Sequence, residues 1–166
     1  MDIHIRAFVE KDLDAVQFIW NEVIQEGESF HWTEPFDRQK IEDIIRRQDA
    51  VYCAVHETGD LTGFYILHKN ASGRGSHVAN ALYAVRSDYR NRGIGKMLGL
   101  HSIEISKQFG YRALQFNSVV SSNTGSVRLW ESLGFQRAGT LFGAFRTKTD
   151  EFVDVYIYMK VLCDWR

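Results

Sequence analysis

Val85-Arg86-Ser87-Asp88-Tyr89-Arg90-Asn91-Arg92-Gly93-Ile94-Gly95-Lys96 is the stretch on which the fold turns. Before it, residues 77–85 alternate apolar and polar side chains and read as a strand. After it, Ile94, Met97, Leu98, His101 and Ile105 recur at helical spacing and predict a helix over 93–109 with these residues on one face. Two glycines therefore stand at the mouth of a helix just beyond a strand. The first N–H groups of a helix have no intrahelical acceptor and its dipole is positive there, so an anionic phosphate is favoured. Gly93 and Gly95 let the backbone approach a guest closely, while Arg90, Arg92 and Lys96 add positive charge. A pyrophosphate suits such a turn.

Two other phosphate motifs fail on single residues. A P-loop ends in Gly-Lys-Ser/Thr, but Met97 follows Lys96 and Arg90 occupies the position of its first glycine. A dinucleotide-binding turn wants its third glycine where Leu98 stands, and Gln115 replaces the acidic residue expected about 20 positions on.

Outward from the turn, Ile3, Ile5 and Ala7 suggest a first strand. Leu13, Val16, Ile19, Trp20 and Val23 suggest a helix, with Asp12 as N-cap and Gly27 as stop. Ile41, Ile44 and Ile45 suggest a second helix, and between the two lies the aromatic loop Ser29-Phe30-His31-Trp32. Residues 50–56 and 61–68 read as a hairpin through Glu57-Thr58-Gly59-Asp60, and a Gly/Ser-rich loop over 70–76 leads into the strand that precedes the turn. Strand 113–120, helix 126–133 and strands 135–141 and 152–160 complete the chain. The order β-α-α-β-β-β-α-β-α-β-β predicts an α/β fold with a mixed sheet in one domain, with chemistry where the parallel crossover leaves the sheet.

Composition sets outer bounds. Apolar residues make up 45% and charged residues 25%, the balance of a globular protein. Twenty Lys and Arg against 21 Asp and Glu give a net charge of −1, so no global field draws the chain to nucleic acid or an anionic membrane. Residues 1–12 lack the pattern of a secretory signal, and no apolar stretch has the length of a membrane span. Cys53 and Cys163 lack metal spacing and read as two thiols of a reducing cytoplasm. His31, His77 and Glu28 form no metal motif either, and no metal is expected.

Arg90-x-x-Gly93-x-Gly95 resembles the acyl-CoA pyrophosphate motif of the GNAT N-acetyltransferase superfamily. Residues 123–135, with Asn123, Ser126, Trp130 and Gly134-Phe135, resemble that family's Asn-x-x-Ala/Ser-x-x-x-Tyr-x-x-x-Gly-Phe segment. The pair, in this order, covers about the last two-thirds of the chain. The resemblance implies a mostly antiparallel sheet with splayed central strands and flanking helices, with acetyl-CoA as co-substrate. Its pantetheine would lie in the splay along Tyr83, Ala84 and Val85, and its pyrophosphate on Arg90, Asn91, Arg92, Gly93, Ile94, Gly95 and Lys96. Asn123 and Ser126 would help hold the arm. Trp130 departs from the pattern, because an indole N–H cannot protonate a leaving thiolate as the family's Tyr does; packing against Val127 and Leu133 is the expectation for it.

Residues 116–135 also resemble, more narrowly, fungal acetyltransferases that detoxify proline analogues such as azetidine-2-carboxylate, which share the Trp. That likeness implies catalytic roles for Asn117, polarising the thioester carbonyl and holding substrate, and for Asn80, contacting substrate. An Asn at 117 equally suits a strand break, where its amide satisfies local backbone. Proximity and oriented donors can supply much of the rate of acetyl transfer without a covalent intermediate. No base is assured: His31, His68 and His77 are candidates, and water serves as well. The expected acceptor is the amine of a small molecule, an amino acid or proline analogue among them. Acetylation of a protein N-terminus or lysine, and a non-catalytic CoA-binding module, stay open. Phe142, Phe145, Tyr156 and Tyr158 could equally build a homodimer face.

Overall fold

The computed structural model describes residues 2–164. The strands are β1 (Ile3–Ala7), β2 (Ala50–His56), β3 (Leu61–Lys69), β4 (Val78–Val85), β5 (Ala113–Val120), β6 (Gln136–Arg146) and β7 (Phe152–Val161). They form one sheet in the order β1-β2-β3-β4-β5-β7-β6. Only the β4–β5 pair is parallel. The helices are α1 (Leu13–Glu26), α2 (Arg38–Arg46), α3 (Ile94–Gln108) and α4 (Thr124–Ser132). This is the mixed, mostly antiparallel sheet with flanking helices expected from the sequence.

Two apolar layers sandwich the sheet. On one face α1 lays Val16, Ile19, Trp20 and Val23 against Phe64, Ile66 and Ala84 of β3 and β4. On the other, Ile94, Leu98 and Ile105 of α3 and Trp130 of α4 pack against Tyr65, Leu114 and Phe116. β3 is consequently buried from Leu61 through Leu67, as befits a strand covered on both faces. α1 stops where expected: Gly27 takes φ of 67° and its N–H closes on the carbonyls of Val23 and Ile24.

Asp12 stands at the N-cap position of α1 as expected, but its side chain bonds no first-turn amide of that helix. It lies in a 3-10 turn, Glu10–Asp12, where it accepts from the Val9 N–H and pairs with both terminal nitrogens of Arg6 at 2.6 and 2.8 Å. The buried face of α3 is also rotated from the apolar pattern. It comprises Ile94, Leu98, Gly99, Ser102, Ile103, Ile105 and Ser106, with Met97 and His101 half-buried at its margins. The small residues escape an apolar count, yet smallness is what packs them: a Cβ on Gly99 would meet Leu133 Cδ1 at 2.6 Å. Finally, β6 runs five residues past the expected end at 141, because beyond a bulge Phe145 and Arg146 pair with Val153 and Phe152, and α4 begins at Thr124 because Asn123 accepts from the Ser126 N–H and caps it.

Candidate active site

β4 and β5 pair only at Val78–Ala113 and Ala79–Leu114, then part. From Asn80 onward, the side of β4 that faces β5 has no ladder partner, while its other side stays paired to β3 as far as Val85. Unpaired main chain inside a protein is costly, so such an edge invites a ligand that supplies the missing partners. A cavity of about 740 Å³ occupies the opening.

Aromatic rings hold the strands apart on the α3 and α4 side. Trp130 is 5% exposed and its centroid lies 4.7 Å from Tyr83, 4.5 Å from Phe116 and 5.7 Å from Phe135. Pairs of this kind contribute about 0.5–1.5 kcal/mol beyond the area they bury. The Tyr83 hydroxyl is tied to Ser102 Oγ at 2.7 Å, and burial pushes it well above the ordinary phenol range, so it stays protonated. Trp130 is thus a packed wedge, sharing one apolar cluster with the expected Val127 and Leu133 and with Tyr83 and Phe116 besides.

The turn between β4 and α3 closes one end. Asn91 and Gly93 both take left-handed conformations, with φ of 58° and 82°, and Met97 N–H is the first to bond back into the helix, to Gly93 O at 3.0 Å. The amides of Ile94, Gly95 and Lys96 therefore precede the ladder, as an anion site at a helix start requires. Arg90 behaves otherwise. Its Nε donates to Val85 O at 3.1 Å and its terminal nitrogens lie 2.9 Å from the two Glu26 oxygens. A second tether joins α1 to the turn, since the Ser87 N–H and hydroxyl both donate to Glu22. Arg86 is spent on Asp88.

The opposite end is built from the aromatic loop, β3, β4 and β5. Trp20 gathers Phe30, Trp32 and Phe36 at centroid distances of 5.6, 5.6 and 6.0 Å. His31 stands edge-on to Phe145, and its Nε2 is hydrogen-bonded to Ser118 Oγ. Ser118 sits in a bulge, where between Phe116 and Val119 the two β5 residues Asn117 and Ser118 oppose the single β7 residue Ile157. Its neighbour Asn117 donates to Asn70 Oδ1 at 2.7 Å and accepts from Gln115 Nε2 at 2.8 Å. His68 and Asn80 are cross-strand partners on this side.

Of the residues expected to bind the cofactor or act in catalysis, all line this one cavity except Arg92 and Lys96, which are exposed beside it. Of the three histidines, His31 and His68 line it; His77 precedes β4 and does not. Glu22, Glu26 and Ser118 went unremarked in the sequence. The glutamates carry no local signal, because their partners lie 65 and 64 residues away. Among the described residues no group of three or more His, Cys, Asp or Glu could hold a metal ion, and no helix is long and apolar enough to cross a membrane. Cys53 is buried and Cys163 exposed, both as free thiols.

Comparison with known proteins follows the same lines. The acetyltransferase (GNAT) family model matches residues 16–135. The chain is 30% identical over 166 residues to the N-acetyltransferase aca1 of Schizosaccharomyces pombe, an alignment covering 90% of this chain and 79% of that protein. A GCN5-related N-acetyltransferase from Kribbella flavida matches with a TM-score of 0.91 at 30% identity, over 96% of this chain and 98% of that one. A GNAT superfamily phosphinothricin acetyltransferase from Sinorhizobium meliloti, solved in complex with AcCoA, shares the fold with a TM-score of 0.90 at 18% identity, over 98% and 89% of the two chains.

Proposed function

The chain belongs to the acetyltransferase (GNAT) family and is an N-acetyltransferase; from that premise we propose that it moves the acetyl group of acetyl-CoA to the amine of a small molecule. When bound, acetyl-CoA supplies the activated thioester. The unpaired edge of β4 at Tyr83, Ala84 and Val85 suits the amide-rich pantetheine arm. The amides opening α3, framed by Asn91 and Gly93, suit the pyrophosphate, with Arg92 and Lys96 contributing charge from outside the cavity wall. Asn123 and Ser126 border the arm from α4. Arg90 serves this site by shaping the turn, because its donors are committed to Glu26 and Val85.

Asn117 and Asn80 supply amide donors to the thioester carbonyl and the acceptor, and no covalent enzyme intermediate is required. The chemistry also requires no metal. One acetyltransferase domain over 1–166 is the proposed organisation, in a cytoplasmic setting that keeps Cys53 and Cys163 reduced.

The observation that favours a small acceptor is the contact between His31 and Ser118, which draws the aromatic loop across to β5 at the edge of the cavity and narrows the approach from that side. A peptide substrate would need this side open. An amino acid or proline analogue fits the polar pair Asn80 and Asn117 beside the aromatic wall. Release of CoA thiol, followed with azetidine-2-carboxylate, proline-like imino acids, primary amines and a peptide N-terminus, tests the reading. Turnover of the peptide alone would overturn it.

A further inference from the structure

Acetylation of an amine releases a proton, and neither Asn80 nor Asn117 can take it, since a carboxamide is no base near neutral pH. His68 stands where that proton is released. It lies on β3 directly opposite Asn80 of β4, and opposed residues of an antiparallel pair project to one face. Asn80 is in turn the first β4 residue beyond the two that pair with β5, so it marks the apex of the opening. The turn before α3 lies past the other end of β4. A thioester arm entering from that turn and running along β4 therefore ends beside Asn80 and His68.

His68 Nδ1 is buried and has no hydrogen-bond partner among the described residues. An unsatisfied buried polar atom costs about 1–3 kcal/mol, and His68 as a residue is only half-buried and lines the cavity, so an acceptor reaches it from that side. Burial holds the imidazole below its ordinary pKa, with the Asp49 charge acting weakly in the other direction, so the neutral, basic form prevails at neutral pH. The other ionisable residues lining the cavity are Glu26, Glu28, His31, Tyr83, Tyr89 and Arg90. Glu26 and Arg90 are paired with each other, His31 is held by Ser118, and the Tyr83 hydroxyl is held by Ser102. Tyr89 lies under Arg86 and Arg92. Glu28 is the remaining rival.

We propose that His68 is the catalytic base that takes the proton from the acceptor amine, a role that rests on the acetyltransferase function proposed above. The nitrogen–carbon bond forms, the carbon–sulfur bond breaks and CoA departs as the thiolate. An acceptor bound as the ammonium gives its first proton to His68, which frees the lone pair for attack; the second N–H proton passes through solvent to the thiolate as the amide forms, and the imidazolium then releases its own proton to solvent.

His68→Gln keeps a polar side chain and removes the base. With the best amine of the panel, kcat/KM at pH 7 falls roughly 10²–10⁴-fold, the usual contribution of a general base, while acetyl-CoA affinity by calorimetry is unchanged. In the wild type, kcat/KM reaches a plateau whose midpoint lies below about 6.5, the ordinary imidazole value, because neutral His68 accepts from an ammonium substrate. The variant has no plateau and climbs with pH to the pKa of the amine itself. Independently of turnover, NMR titration of the His68 imidazole shows a depressed pKa that moves when acceptor is added. A variant that keeps the wild-type rate and plateau overturns the proposal, as does loss of the plateau in Glu28→Gln alone or a His68 titration that ignores the acceptor. These failures arise with an active wild type; an enzyme inactive on every amine and unable to bind acetyl-CoA sinks the proposed function, and the proposal with it.

Discussion

Arg90 Nη2 donates to Glu26 Oε2 at 2.9 Å, tying the turn ahead of α3 to the last residue of α1. α1 also brings Trp20 and Val23 to the cavity, so one helix touches both the proposed pyrophosphate site and the proposed acceptor wall. The arginine that opens the motif thus acts within the protein.

From that pairing, Glu26→Ala and Arg90→Ala should weaken acetyl-CoA binding to a similar degree, and the double variant should be little worse than either single one. Both side chains are about a third exposed, 37% for Arg90 and 29% for Glu26. The pair itself is therefore worth only about 0.2–1 kcal/mol of stability after solvent screening. Calorimetric titration of the three variants closes the cycle. An Arg90→Ala loss many times that of Glu26→Ala would show that the guanidinium binds phosphate directly.

Gly93→Val should cost acetyl-CoA affinity by at least tenfold. A Cβ at this position meets nothing within 4 Å, so the penalty is not a clash within the free protein. It comes from φ of 82°, where an L-residue pays about 1–2 kcal/mol and a β-branched one more. The relaxed backbone re-aims the amides that open α3. An unchanged dissociation constant in a folded variant would remove the pyrophosphate from this turn.

Trp130→Phe should keep most of kcat, and Trp130→Ala should lose about 3–5 kcal/mol of stability as a large-to-small core change. The wedge between Tyr83 and Phe116 would then collapse, narrowing the opening between β4 and β5. Denaturant unfolding and turnover, read together, separate the two roles. A stable Phe variant slowed a thousandfold would restore a chemical role to the indole.

Much of the architecture was legible in the sequence because the decisive signals are local. Gly93 in the turn, the stop at Gly27 and the hairpin around Gly59 are conformational demands that single residues announce. The buried face of α3 departs from the apolar pattern because Gly99, Ser102 and Ser106 pack by being small, which hydrophobic periodicity does not score. The separation of β4 from β5 has no local signature, since Asn80 to Val85 read as any other strand; only the family resemblance anticipated it. The tethers from Glu22 and Glu26 join residues more than 60 positions apart, and only the folded chain brings them together.

The Arg6–Asp12 pair gives a pH dependence of stability. Burial alone would raise the Asp12 pKa, but hydrogen bonds from Arg6 and the Val9 N–H outweigh it and leave the carboxyl below its usual value. A depressed folded-state pKa contributes stability that is present above the unfolded value of about 3.9 and is lost as pH falls through the folded one. Asp12→Asn should therefore be destabilised at pH 7 and draw level with the wild type as the pH drops toward and below 3. Urea unfolding at the two pH values checks this; an equal deficit at both would locate the loss in packing.

Asn117 carries the sharpest prediction, because its amide is already engaged. One donor goes to Asn70 and the oxygen accepts from Gln115, which leaves one N–H for a thioester carbonyl or an acceptor. If that N–H serves the transition state, Asn117→Ala should lose roughly 2–4 kcal/mol in kcat/KM, the range for a single oxyanion donor. Acetyl-CoA affinity should barely change, since the turn at Gly93 is remote in the chain and untouched. Asn117→Asp should be at least as damaging, because it removes both donors and sets a negative charge beside a developing one. Asn70→Ala removes only the contact that orients the amide, so its loss should be smaller than that of Asn117→Ala and absent from the double variant. Full activity of Asn117→Ala on the best acceptor would reduce this residue to a bulge-filling amide, held by Asn70 and Gln115 where β5 kinks.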